Sequence, residues 1–211
     1  MWDWHTAREG LPLILHGFGI TLLATALGSL VAIVLGLVIA VLGRTPTRWV
    51  RLPLRAVVEF VRSTPVMIQL FAVWVLVPGL DPLTIGIVVL GVHYAMYTSE
   101  VYRAGIDAVP RGQWEAAVAL SLPPARTWSG VVLPQAVRKV IPALGNYVIS
   151  MFKETPFLSV ITVNEMVHEA NQFGSDNFAY MEAFTIAAAI FLIASYPTSM
   201  LMRKLEKRLA H

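Results

Sequence analysis

Leu11-Pro-Leu-Ile-Leu-His16-Gly-Phe-Gly-Ile-Thr-Leu-Leu-Ala24-Thr-Ala-Leu-Gly28-Ser-Leu-Val-Ala32-Ile-Val-Leu-Gly36-Leu-Val-Ile-Ala40-Val-Leu-Gly43 is an apolar run with one ionisable residue, His16. A helix needs about 20 mostly apolar residues to cross the hydrocarbon core of a bilayer, so this stretch decides the fold class. As a helix it would be about 50 Å long. That length calls for a tilted span or an interfacial first turn near Pro12 and Gly17, with Trp2 and Trp4 suited to the interface. A cleaved signal peptide is not expected, because its apolar core is about 7 to 15 residues long. Ala24, Gly28, Ala32, Gly36 and Ala40 recur at every fourth position and line up one smooth stripe. Such a stripe lets backbones approach closely, either within the chain or against a second membrane subunit.

Composition outside this run agrees. The 211 residues are 56% hydrophobic and 14% charged, with no cysteine, and the mean hydropathy is +0.66. A soluble domain carries about 25% charged residues. The missing cysteines exclude disulfides, thiolate nucleophiles and sulfur-ligated zinc. Period-two alternation is absent, so the expected fold is an all-α integral membrane protein rather than a barrel.

Apolar runs bounded by charge predict five transmembrane helices, near 11–43, 56–78, 83–108, 137–161 and 183–202, in a single transmembrane domain covering 1–211, with a polar loop at 109–136. Basic residues are retained in the cytoplasm. Arg44, Arg48, Arg51 and Arg55, then Arg111, Arg126, Arg138 and Lys139, then Arg203, Lys204, Lys207 and Arg208 all fall on one side of this threading. The other side holds Arg8 against Asp3, Glu9, Asp81, Glu165, Glu169, Asp176 and Glu182. The N-terminus is therefore expected outside and the C-terminus in the cytoplasm. The same retention accounts for the pI near 9.4 without a nucleic-acid partner.

Ionisable side chains at membrane depth are costly and are functional candidates by default. Glu59, Arg62 and Gln69 share a face of the second span; Tyr94, Tyr97, Glu100 and Arg103 repeat along the third; Asn146, Ser150, Lys153 and Glu154 lie in the fourth. Arg62-Ser-Thr-Pro65-Val66 and Lys153-Glu-Thr-Pro156-Phe157 repeat one pattern. Each proline frees a carbonyl that protein or a water-lined cavity must cover, and paired breaks point to a solute path. The competing reading is that these charges pair within or between helices and hold the bundle together. His16 and His93 receive no role. His168-Glu169 lacks the second histidine of a zincin, with Gln172 in its place, so no metal site is expected, and no lysine follows the glycine of a phosphate loop.

Between the third and fourth spans lies Pro110-Arg-Gly-Gln-Trp114-Glu115-Ala116-Ala117-Val-Ala-Leu-Ser121-Leu-Pro-Pro-Ala-Arg126-Thr-Trp128-Ser-Gly-Val-Val-Leu133-Pro134. It reads as two short helices on the inner face, with Ser121 able to cap the second and Pro134 marking the next break. A connection of roughly 30 residues is long for a mere joint. Trp114, Trp128 and Arg126 are of types enriched at interface hot spots.

This loop resembles the EAA signature of ABC importer permeases, in which Glu-Ala-Ala is followed at fixed distances by Gly and by Ile-x-Leu-Pro. Here Glu115-Ala116-Ala117, Ser121 and Val131-Val132-Leu133-Pro134 occupy those places, with Ser for Gly and Val for Ile. Phe60-Val-Arg-Ser-Thr-Pro65 with Gln69, Tyr97-Thr-Ser-Glu100-Val-Tyr-Arg103, and Asn146-Tyr147 leading to Phe152-Lys153-Glu154-Thr155 are similar to the polar amino acid permease group. The Asp3-Trp4 start, His93-Tyr94-Ala95 and Thr155-Pro156 are most like permeases for ectoine and hydroxyectoine.

The resemblance implies a type I ABC importer permease fold in a bacterial cytoplasmic (inner) membrane. It implies a second permease subunit (identical or sister), a cytoplasmic ABC ATPase dimer that holds the ATP and Mg, and an extracytoplasmic solute-binding protein; this chain is then no enzyme and binds no cofactor. Glu115, Ala116, Ala117, Ser121, Arg126, Trp128, Leu133 and Pro134 become the expected ATPase coupling residues. Glu59, Arg62, Gln69, Tyr94, Tyr97, Glu100, Asn146, Lys153 and Glu154 become the expected solute pathway. A gradient-driven secondary transporter or channel is an alternative that leaves the long loop unexplained; a membrane scaffold recruiting a cytoplasmic partner is another, separated by copurification of an ATPase and by solute-stimulated ATP hydrolysis.

Overall fold

The first helix begins ahead of the apolar run, because Asp3 caps it. In the computed structural model, which describes residues 2–209, α1 spans Trp4–Leu42, and the Asp3 carboxylate accepts from the His5 N–H and the Thr6 hydroxyl, each at 2.8 Å. The helix carries Pro12 without breaking, so no separate interfacial turn precedes the span. There follow α2 (Arg48–Arg62), α3 (Val66–Leu76), α4 (Pro82–Asp107), α5 (Arg111–Ala119) and a short α6 (Pro124–Arg126). A π-helical turn at Thr127–Val132 leads into α7 (Leu133–Glu154), which tightens into a 3₁₀ stretch at Thr155–Ile161; α8 (Met166–Asn177) and α9 (Tyr180–Leu209) complete the chain. Among the described residues there is no strand.

The small-residue stripe faces inward. Ala24, Gly28, Ala32, Gly36 and Ala40 are all buried within this chain. A Cβ added at Gly28 would come 2.9 Å from the Met151 sulfur. α4 lies close enough for the Thr98 hydroxyl to donate to the Ala32 carbonyl at 2.8 Å and the Tyr102 hydroxyl to the Ile33 carbonyl at 3.2 Å. Of the two readings of the stripe, packing within the subunit is the one realised, because close approach is what holds helices together where lipid supplies no hydrophobic drive. Leu70, Ile85, Leu90, Met151, Leu158 and Ile161 fill the core that this seam backs.

The stretch expected as the second span is two helices, α2 and α3, bent by 104° at Ser63-Thr64-Pro65. α1, α4 and α9 are each long and apolar enough to cross a membrane, and the bent pair makes a fourth if counted as one span. α7, which occupies the expected fourth span, is not among the helices apolar enough to cross by composition; it carries Arg138 and Lys139 near one end and Lys153 and Glu154 at the other. Pro134 does not end a helix as its residue type suggested. It sits in the first turn of α7, where a missing N–H costs little, and the wider π turn ahead of it keeps the segment continuous, with the Leu133 N–H reaching the Trp128 carbonyl.

At the end opposite the α5–α6 loop, α8 packs on α1 and α9 and buries acids that the charge map placed on the outer side. Glu165, Glu169 and Glu182 are nearly inaccessible. Glu165 caps α8, accepting from the Val167 and His168 N–H groups at 3.0 and 2.8 Å and from the Thr21 hydroxyl at 3.4 Å. Glu182 accepts the Asp3 N–H at 2.8 Å, tying the start of α1 to α9. Burial pushes the Glu165 carboxyl up to about 7, outweighing the donors that favour its charged form.

Candidate solute pathway and coupling loop

Residues spaced three apart on α4 and seven apart on α7 share helix faces, and these two faces meet. The Tyr94, Tyr97 and Tyr147 rings form a triangle with centroid separations of 6.2, 6.0 and 5.8 Å. Glu154, two turns beyond Tyr147, lies beside Tyr94, and its Oε2 is buried with no hydrogen-bond partner. On the other side the Arg62 guanidinium stands 5.3 Å from the Tyr97 ring centroid, and its Nε is likewise buried and unpartnered. A cation over a tyrosine face is attracted by the ring quadrupole.

Glu59 and Glu100 sit apart from this triangle. They line a groove of about 420 Å³ with Arg55, Arg62, Ser99 and Arg103. Within it Arg62 reaches Glu59 at 3.5 Å, and Arg103 donates to Glu100 from Nε at 2.9 Å and to Asp107 at 3.3 Å. Asp107 also pairs with Arg44, so the ends of α1 and α4 meet there. Pairing thus accounts for Glu100 and Arg103, and the pathway reading is carried by Arg62, Tyr94, Tyr97 and Glu154. Asn146 and Lys153 are exposed on α7 and make no hydrogen bond among the described residues. Gln69 is turned toward the α2–α3 break and His93. The sequence reading gave no role to His93 and left Tyr147 out of the pathway, although the seven-residue spacing of Tyr147 and Glu154 was a usable signal for the placement of these rings.

In the loop, α5 ends in a Schellman motif. The Leu122 N–H bonds the Ala117 carbonyl at 3.0 Å and the Ser121 N–H bonds the Val118 carbonyl at 2.9 Å, which places Ser121 at the left-handed position with φ 51°. Glycine is the usual residue there, which explains the glycine of the EAA signature; serine adopts the same geometry at a cost. Ala117 is buried, while Glu115, Ala116 and Arg126 are exposed. Trp114 and Trp128 do not project as expected. They pack edge to face at 5.3 Å, Trp114 from α5 and Trp128 from the π turn, over Ile106, Val109, Val132 and Ala136, a geometry that aromatic pairs favour. The exposed apolar residues are Val118 and Leu120, at 77% and 73%, together with Leu133.

Residues 32–211 match the family described as the binding-protein-dependent transport system inner membrane component. The chain belongs to this family: it is an inner-membrane ABC importer permease of the polar amino acid group. It is 45% identical over 203 residues to a probable amino-acid ABC transporter permease protein, y4tG, of Sinorhizobium fredii, covering 94% of this chain and 88% of that one. It is 30% identical to the glutamine transport system permease protein GlnP of Escherichia coli, covering 98% and 97%. A crystal structure of an amino acid ABC transporter with histidines superposes with TM-score 0.91 at 31% identity, over 99% of each chain. The MetNI methionine ABC transporter in an inward-facing form shares the fold at TM-score 0.78 and 20% identity, over 93% of this chain and 96% of that one. ABC importer permeases work with an ATPase and a binding protein.

Proposed function

We propose that this permease carries a compact zwitterion past the tyrosine triangle, with Glu154 meeting the cationic end and Arg62 the carboxylate. The observation that carries the reading is the pair of buried, unpartnered polar atoms, Glu154 Oε2 and Arg62 Nε, flanking three tyrosine rings. A buried polar group without a partner is costly. An amino acid satisfies both ends at once, and so does ectoine, whose amidinium is a delocalised cation. Relatives named for glutamine, arginine and cystine transport favour an amino acid; the ectoine reading rests on Asp3-Trp4, His93-Tyr94-Ala95 and Thr155-Pro156.

The driving force comes from a partner ATPase dimer that holds ATP and Mg. The ATPase docks on the α5–α6 loop through Glu115, Val118, Leu120 and Arg126, a second permease subunit completes the pathway, and a binding protein delivers the solute outside. Nucleotide-driven closure then switches the pathway by contacts that differ between its two states. The test is uptake and solute-stimulated ATP hydrolysis by the reconstituted importer, offered arginine, glutamine and ectoine in turn. Glu154→Gln is expected to raise the half-saturation concentration about tenfold, the worth of one charge-assisted hydrogen bond. Uptake without ATP, or kinetics unmoved by Glu154→Gln, overturns the reading.

A further inference from the structure

Pro65 has no N–H, and the sharp bend behind it leaves the carbonyls at the break outside the regular helical ladder, the Val61 carbonyl keeping only the Thr64 N–H at 3.4 Å and the Thr64 hydroxyl at 3.1 Å as local donors. At membrane depth such carbonyls must be bonded by protein or lie on a water-lined cavity. Gln69 meets them. Its Nε2 lies 2.7 Å from the Val61 carbonyl, 3.0 Å from the Thr64 carbonyl and 2.7 Å from the Thr64 hydroxyl oxygen. The side-chain amide has two hydrogens, so its donor capacity is fully committed. The orientation is forced as well, since a flipped amide would point its oxygen at two carbonyl oxygens.

The amide oxygen therefore faces α4, where it lies 3.1 Å from His93 Nδ1. An amide oxygen only accepts, so His93 carries its proton on Nδ1. The buried His93 ring packs against Tyr97 at 5.3 Å and edge-on against Tyr94 at 5.6 Å. Tyr97 in turn donates to the Arg62 carbonyl at 3.4 Å and carries the Arg62 guanidinium over its face. The connections close on themselves: from the end of α2 through Tyr97 and His93 on α4 to Gln69 on α3, and back to the α2 carbonyls.

We infer that Gln69 and His93 do not meet the solute but are positioning residues, a clamp across the broken second span that sets the placement of Arg62 and Tyr97. This rests on the pathway proposed above. The clamp fixes how well the solute is held and leaves the ATPase stroke unchanged.

The test compares His93→Phe, which keeps the ring and loses the donor, with His93→Asn, whose amide N–H stands near the Nδ1 position. His93→Phe is expected to raise the half-saturation concentration for solute-stimulated ATP hydrolysis about tenfold, the worth of one hydrogen bond of about 1.4 kcal/mol. The maximal rate should stay within about twofold, and His93→Asn should recover most of the loss. Equal defects in both variants, or a fall in maximal rate at unchanged half-saturation, overturn the inference.

A second measurement needs no transport. The chain has no cysteine, so Ser63→Cys, exposed at the break, provides a single thiol. Its alkylation by a charged reagent should quicken severalfold on adding His93→Phe and stay at the starting rate on adding His93→Asn. Unchanged labelling with His93→Phe removes the clamp. An importer inert to every solute but showing the labelling difference removes the pathway reading and leaves the clamp standing.

Discussion

Arg62 and Tyr97 hold one another twice: the guanidinium lies over the ring at 5.3 Å, and the phenol donates to the Arg62 carbonyl at 3.4 Å. Arg62→Lys keeps the charge and loses the flat, weakly hydrated group that suits an aromatic face. Solute-stimulated ATP hydrolysis should then need roughly five to ten times more solute for half-saturation, corresponding to about 1 kcal/mol of cation–π attraction. Tyr97→Ala should do at least as much harm. Kinetics unchanged in both variants would show that the solute does not pass this pair.

Ser121 occupies a left-handed position with φ 51°, which costs a residue bearing a Cβ about 1 kcal/mol. Ser121→Gly should therefore raise the unfolding temperature of the purified permease by a few degrees without lowering ATPase binding. Ser121→Val should weaken that binding, because a β-branched residue resists the left-handed turn that sets α5 against α6. A neutral valine would mean that the Schellman turn does not shape the coupling surface.

Glu115 is exposed on α5 beside the buried Ala117. Glu115→Lys should leave membrane insertion and thermal stability intact while cutting co-purification of the ATPase roughly tenfold or more, as a wrong-sign charge does at a contact. Normal retention of the ATPase by the inserted variant would assign docking to other residues, with Val118 and Leu120 the next to test.

Glu165 titrates near 7 when folded, against 4.5 for an ordinary glutamate, because it is buried. The raised value means that the folded state favours the protonated carboxyl. Its contribution is complete below about pH 4.5 and is lost as pH rises through about 7. Unfolding temperature should fall between pH 5 and pH 8, and Glu165→Gln should flatten that fall. An equally steep fall in the variant would assign it to other groups.

Much of this permease is legible without coordinates. Lipid accepts only long apolar helices and rejects stray charge, so the runs in α1, α4 and α9 stand out locally. The loop at 109–136 is a short-range pattern too, in which Glu115, Ser121 and Pro134 stand at the spacing of the EAA signature. Pro65 stands out as a place where a helix could break, though proline alone does not decide it, since Pro12, Pro53 and Pro142 lie inside continuous helices.

What depended on tertiary structure is which surfaces meet. The stripe from Ala24 to Ala40 fits a partner subunit as well as it fits α4, and only packing chose α4. The triangle of Tyr94, Tyr97 and Tyr147 joins two helices far apart in the chain. The burial of Glu165 depends on α8 folding back on α1, and the inward turn of Trp128 depends on Trp114 lying opposite. His93 looked idle in sequence because its partner, Gln69, comes from another helix. Solvation by lipid acts residue by residue and is written into composition; close packing and shared hydrogen bonds act between distant segments and exist only once the helices are assembled.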